Sequence, residues 1–256
     1  MHPNGFLIFL NPGEIDISNE YQNGYPYTVV ENINSDFHQR RINSTIDLIN
    51  NLNKKENLNL LDLGCGQGHF TNIIKNKFPD FDVFGIDYSI SAINYANSNF
   101  KDISFIVANA YHPPFTDEYF DIIVCNNIWE HVPDPLNLLK AISRVLKPNG
   151  LLIISTPSRY RLYNLIMTLL GKNISLMSKL HVTEYTVGQV KEQLRYGGYK
   201  VNKVYSPSIK RGGLIRFIIK LFFSVIIKIT NSHHVLEATV FYSATKLPSA
   251  TSAKTH

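Results

Sequence analysis

Three glycines on alternate positions, Gly64, Gly66 and Gly68, follow the largely apolar stretch Leu58 to Leu63, which carries an acid at Asp62. Glycines have no Cβ, so a ligand can lie directly against their backbone. A negative group in such a turn is a poor partner for phosphate. The Gly-Lys-Ser or Gly-Lys-Thr of a phosphate-binding loop is also absent. A second acid, Asp87, closes the apolar run Val83 to Ile86. A carboxylate at a strand tip can accept hydrogen bonds from both hydroxyls of a ribose. The chemistry in view is the binding of a ribose-bearing compound whose other end rests on the glycine turn. His131 is the candidate general base, because an imidazole of ordinary pKa about 6.5 can take a proton from a hydroxyl or phenol at neutral pH. The competing reading has Glu130 and His131 bracing the loop. His181 and Tyr185 are candidates for an acceptor pocket, with bracing again the alternative for His181.

These residues need a scaffold that brings them to one edge. After the glycines, Phe70, Ile73, Ile74 and Phe78 share one helical face. Apolar runs at Ile103 to Val107, Phe120 to Val124 and Leu151 to Ser155 read as further strands. The spacing also predicts a helix from about Phe37 to Leu52 with Ile42, Ile46 and Ile49 inward. Such β/α alternation implies a doubly wound, mostly parallel α/β sheet with helices on both faces. Ligands of such sheets sit beyond the carboxyl ends of the strands, at the topological switch point. Asp62, Asp87, Asn109 and Asn126 all fall at strand ends on this reading.

Asp62-Leu63-Gly64-Cys65-Gly66-Gln67-Gly68 followed by Gly85-Ile86-Asp87 resembles the S-adenosylmethionine site of class I methyltransferases. A nicotinamide-dinucleotide site would space its third glycine one position later. The resemblance continues through Asn109-Ala110, Pro114-Phe115, Glu130 to Pro135 and Leu146 to Gly150, and covers about residues 40 to 156. It implies a Rossmann-like seven-stranded sheet with an antiparallel last strand, and S-adenosyl-L-methionine as cofactor. The glycines would admit its methionine part and Asp62 would face its amino group. Asp87 would hold the ribose and Tyr88 pack on the adenine. Asn109, where the family commonly has Asp, would accept from the adenine amine, with Ala110 offering a backbone contact. Asn126 and Asn127 would flank the methionine end through backbone groups. Arg41-Ile42-Asn43 is similar to an element of the ubiquinone-biosynthesis O-methyltransferases, whose arginine binds the cofactor carboxylate, a planar group that suits a guanidinium. Their Glu-x-x-Glu-His metal element falls on Asn127, Glu130 and His131. Its first carboxylate is missing, so no metal is expected.

The 256 residues, with formal net charge +5, suffice for one sizeable domain. No dense Lys/Arg run indicates nucleic acid. Two cysteines, Cys65 and Cys125, indicate neither a disulfide framework nor a zinc site, so the reading is cytoplasmic. The short apolar run Phe6 to Leu10 does not read as a secretory signal. Residues 1–36 are expected to be an irregular arm, 37–246 the catalytic domain, and 247–256 a disordered tail. Two helical inserts are expected, at about 158–180 and 207–234. Within them Leu162 to Leu170 and Leu214 to Ile229 read as helices, and Val187 to Tyr196 reads as a further helix between the two inserts. Strands are expected at Val201 to Tyr205 and Ala238 to Ala244.

The stretch Leu214 to Ile229, about 24 Å of helix, is apolar save for Arg216, Lys220, Ser224 and Lys228 at four-residue spacing. It is short for a membrane span. A broad apolar face with a basic edge suits a helix lying in a membrane interface. A buried helix or a homodimer contact is the competing reading. The sequence therefore points to S-adenosylmethionine-dependent methyl transfer to a small, apolar or lipid-like acceptor, with oxygen favoured. The alternatives are a sugar or soluble metabolite as acceptor, a non-catalytic cofactor-binding protein and, most remotely, a dehydrogenase.

Overall fold

The computed structural model describes residues 4–16, 32–52, 56–207, 213–229 and 236–248. Its centre is a run of buried strands: β2 (Asn59–Leu63), β3 (Asp82–Asp87), β4 (Ser104–Ala108), β5 (Phe120–Asn126) and β6 (Leu146–Pro157). Side chains alternate in direction along each strand, and the sequence exploits this. Leu60, Ile122, Val124, Leu151 and Ile153 enter one core with α1 (Asp36–Asn50) and α2 (His69–Lys77). Leu61, Leu63, Ile123, Cys125, Leu152 and Ile154 enter the opposite core, with α4 (Pro135–Val145) and α6 (Val187–Tyr196). Helix α3 (Ile90–Asn99) sends Ile93 and Ala96 against Phe105 and Val107. Strands buried on both faces are what a doubly wound sheet requires. The two cysteines are buried thiols, Cys65 on the turn after β2 and Cys125 on the neighbouring β5.

The order across the sheet is β1 (Leu7–Phe9), β4, β3, β2, β5, β6, β8 (Thr239–Lys246), β7 (Tyr199–Tyr205). β7 lies at one edge, and β8 runs antiparallel between β6 and β7. The chain winds outward from β2 to β4 on one side and from β5 to β6 on the other, so the switch point lies between β2 and β5. The seven expected strands are present, and there is an eighth. Leu7–Phe9 of the arm, expected to be irregular, forms β1 and pairs parallel with β4, Phe9 opposite Ala108. Phe6 is buried beneath it. Because β1 is parallel, the chain that follows it emerges at the carboxyl edge of the sheet, where the ligand belongs. Residues 17–31 of the arm and 249–256 of the expected tail lie outside the described residues.

Two excursions interrupt the regular pattern after β6. The first carries α5 (Leu162–Leu169) and a loop returning to α6, which opens with a capping box of Thr186 and Gln189. The second carries α7 (Leu214–Ile229), set between β7 and β8. The two meet where Leu162 N donates to Leu236 O and Ser158 N to Ala238 O. Phe217, Ile218, Leu221, Phe222, Val225, Ile226 and Ile229 of α7 are all exposed. No helix among the described residues is long and apolar enough to cross a membrane.

Gly68 caps α2 in the left-handed region at φ +77°, and a Cβ there would lie 2.7 Å from Phe105 Cζ and 2.8 Å from the Ala96 Cβ. Gly171 has φ +66° but open space around it. Gly68→Ala is expected to cost about 2–4 kcal/mol in urea unfolding, as backbone strain and overpacking combine. Gly171→Ala, with the backbone term alone, should cost about 1 kcal/mol. Equal losses would show that α2 does not approach the sheet this closely.

Candidate functional site

The glycine turn is held from below by one carbonyl and from the side by one carboxylate. Gly64 N and Cys65 N both donate to Ile86 O, at 2.8 and 3.0 Å. Gly66 N donates to Asp87 Oδ2 at 2.8 Å, and Ser89 N donates to Asp87 Oδ1 at 2.9 Å. Asp87 therefore ties the β2 turn to the β3 turn. Gly64, Gly66 and Gly68 all have positive φ, which explains the residue type at each. Asp62 is buried, and its Oδ2 accepts from Thr71 Oγ1 at 2.6 Å. Its described partner thus lies on α2, so the carboxylate also fixes the helix to the end of β2.

At the end of β5, Asn126 is buried and its Nδ2 donates to Thr45 Oγ1 of α1 at 3.2 Å. Its Oδ1 is buried with no hydrogen-bond partner among the described residues. A buried acceptor without a donor is costly, and an ammonium group would satisfy it. Asn127 takes φ +55°, its N–H donates to Ser155 O at 2.8 Å, and its side chain donates to Glu130 Oε1 at 3.1 Å. These bonds brace the loop after β5. Arg41 lies on α1 with its guanidinium 5.7 Å from the ring centre of Phe70, two residues beyond the glycine turn, and its Nη2 is 3.0 Å from His38 Nδ1.

At the other end, Tyr88 follows Asp87 and is half-buried. Burial, and then the charge of Glu14, push its phenol pKa up. Asn109 Oδ1 accepts from Tyr111 N at 2.9 Å, and its Nδ2 donates to Glu14 Oε1 at 2.7 Å. Ala110 packs, partly buried, on the central core. Sequence reading missed Glu14 altogether. Asn11-x-x-Glu14 signals a helix start, and the reciprocal bonds are present: Glu14 N to Asn11 Oδ1 and Asn11 N to Glu14 Oε2, both 3.0 Å. Nothing local, however, reports a partner 95 positions away.

The third group surrounds the loop after β5. His131 Nδ1 lies 3.2 Å from Leu180 O. A carbonyl only accepts, so Nδ1 carries the proton and Nε2 the lone pair. Burial lowers the imidazole pKa, opposed by that bond, so the ring is neutral at pH 7. His181 Nδ1 lies 3.0 Å from Glu184 Oε1, which fixes the orientation of the ring. The two rings stand edge to face, 4.9 Å apart. Glu184 is fully buried, pairs with Arg161 Nη1 and accepts from Met177 N, so this ion pair closes the 158–185 excursion. Tyr185 is half-buried in that excursion, and its backbone oxygen accepts from Arg159 N. Glu130, His131 and His181 each offer an atom within 4.8 Å of the others, a set able to hold a cation. Both Glu130 oxygens already accept hydrogen bonds, from Asn127 and from Thr156 Oγ1.

A model described as a methyltransferase domain matches residues 54–205. The chain belongs to this methyltransferase family. It is similar to trans-aconitate 2-methyltransferase of Afipia carboxidovorans, 31% identical over 123 residues, 47% of each chain. It is also similar to demethylmenaquinone methyltransferase of Lactobacillus johnsonii, 32% identical over 163 residues, 55% of this chain and 67% of that one. The match to the first of these relatives thus spans about half of its length. A solved S-adenosylmethionine-dependent methyltransferase of Archaeoglobus fulgidus shares the fold, with TM-score 0.57, 20% identity and coverage of 82% and 94%. The family implies S-adenosylmethionine as methyl donor. The glycine turn, the carboxylate of Asp87 and the unmatched Asn126 Oδ1 suit its methionyl chain, ribose and ammonium group.

Burial raises the pKa of Glu130, opposed by the bonds from Asn127 and Thr156. A raised carboxyl pKa means that the folded state retains a proton the unfolded state has lost. Its contribution to stability therefore falls as pH rises above the ordinary value of 4.5. Glu130→Gln is expected to gain in Tm relative to the parent between pH 5 and 8. A Tm difference constant with pH would show that Glu130 is not held this way.

Proposed function

We propose that the chain transfers the methyl group of S-adenosylmethionine to an oxygen of a small apolar acceptor drawn from a membrane surface. The donor supplies a methyl already activated on a sulfonium, so the residues chiefly bind, orient and exclude water. Asp87 receives the ribose hydroxyls, Asn126 Oδ1 the ammonium group, and Arg41 the carboxylate. His131 Nε2 takes the acceptor proton, with the tautomer set by Leu180 O.

The observation that carries the acceptor class is the apolar rim beside His131. Leu180 supplies the carbonyl that holds the imidazole, and its side chain is exposed, as are those of Leu176, Met177 and Val182. The exposed residues of α7 extend this character to the second excursion, which leaves the sheet at the same carboxyl edge. They cover half of the helix circumference at 100° per residue, and the sequence sets Arg216, Lys220 and Lys228 at multiples of four residues along the same helix. That arrangement fits an anionic lipid headgroup layer. The same edge would accept a quinone-like phenol, in keeping with the relative named for demethylmenaquinone. The relative named for trans-aconitate keeps a small soluble acid as the second reading.

Incubation with methyl-labelled S-adenosylmethionine and a cell lipid extract should place label in the organic phase. His131→Ala should lower turnover at least about 100-fold, the usual scale of general-base loss, and leave the affinity for S-adenosylhomocysteine unchanged. In the parent, kcat/KM should fall with decreasing pH along an acidic limb that lies below pH 6.5, the side to which burial moves His131. The protein should float with vesicles containing phosphatidylglycerol, and Lys220→Glu with Lys228→Glu should release it. Label confined to the aqueous phase, with no flotation at low salt, would overturn the apolar acceptor. Dimerisation through α7 in its place would assign that face to a second copy.

A further inference from the structure

The reading above leaves the arm without a task, yet the arm is built into the site. β1 is parallel to β4, so residues 10–16 arrive at the carboxyl edge beside the ends of β3 and β4. There Glu14 Oε1 accepts from Asn109 Nδ2 at 2.7 Å, and its charge acts on Tyr88, the neighbour of Asp87. A ribose on Asp87 directs its base outward toward whatever the next strand end presents. That strand end presents a neutral amide, because Asn109 has spent a lone pair on Tyr111 N and a hydrogen on Glu14. The Glu14 carboxylate stands directly against that amide.

We propose that Glu14 recognises the exocyclic amine of the bound nucleobase, so that the arm supplies the carboxylate that β4 itself lacks. Glu14 and Asn109 then work as one unit: the amide orients the carboxylate, and the carboxylate accepts the amine hydrogen. Adenine offers such an amine; a base with a carbonyl oxygen at that position offers a lone pair, which a carboxylate repels. The bonds from Asn109 and from Asn11 N hold the Glu14 pKa below its ordinary value, so the group stays ionised throughout the neutral range. Glu14 is held in turn by its capping box with Asn11 and by burial of Phe6 at the foot of β1.

This inference rests on the cofactor reading given above, and the test separates the two. Calorimetry would compare S-adenosylhomocysteine with S-inosylhomocysteine, which replaces the amine by a carbonyl oxygen. The parent should prefer the adenosyl compound by roughly tenfold or more, the scale of one hydrogen bond to a charged group. Glu14→Gln keeps an acceptor for Asn11 N and can turn its amide to donate, so the preference should fall to within about threefold. Asn109→Asp in the Glu14→Gln background returns a carboxylate to the pocket and should restore it. Binding of both compounds by Glu14→Gln with the parental preference intact would overturn the inference and leave the cofactor reading standing. Failure of the parent to bind S-adenosylhomocysteine at all would overturn both.

Discussion

One carboxylate organises the ligand edge of this protein. Asp87 accepts from Gly66 N on one side and from Ser89 N on the other, so the turns after β2 and β3 are pinned to each other. Few alternatives satisfy these backbone donors so close to the core. The glycines follow from that constraint, because the turn must present Gly66 N to its neighbour while taking positive φ at Gly64, Gly66 and Gly68. Asp62 completes the frame by holding Thr71, and with it the start of α2. Two acids that look alike in sequence thus act differently. One joins two loops and can still meet a ribose, and the other anchors a helix.

Around that frame the protein adds two peripheral devices. The 158–185 excursion is closed by a buried Arg161–Glu184 pair with His181 on the same carboxylate. A buried pair of this kind contributes more to a single arrangement than to net stability. Here the arrangement presents Leu180 O to His131. The imidazole therefore has a defined tautomer because a loop on the far side of β6 has a defined shape. The arm is the second device, reaching the opposite end of the same cleft through β1.

The sheet was legible in the sequence because its central strands carry short apolar runs with a polar residue at or beside the carboxyl end, as at Asp62, Asp87 and Asn126. Helices α6 and α7 were equally plain, from the Thr186 cap and from an apolar run broken only at four-residue spacing. What escaped notice depends on pairing at long range. Three residues, Leu7–Phe9, carry no periodicity, and only the edge of β4 makes them a strand. Glu14 reads as a local helix cap, and its second bond crosses to Asn109. Asn127 follows Asn126 directly, and it is the left-handed backbone at that position that turns its N–H onto β6 and its amide onto Glu130. The position of each strand end follows from local pattern, whereas the direction of a side chain beyond it follows from the loop.

The most direct test of the account is the calorimetric affinity of S-adenosylhomocysteine for the parent protein and for Asp87→Asn. The substitution retains size and one acceptor but removes the charge and one backbone tie. The account predicts saturable one-to-one binding by the parent and a loss of about 100-fold or more in Asp87→Asn, as two charge-assisted bonds to the ribose weaken together. Affinity within twofold of the parent in a folded Asp87→Asn protein would contradict it.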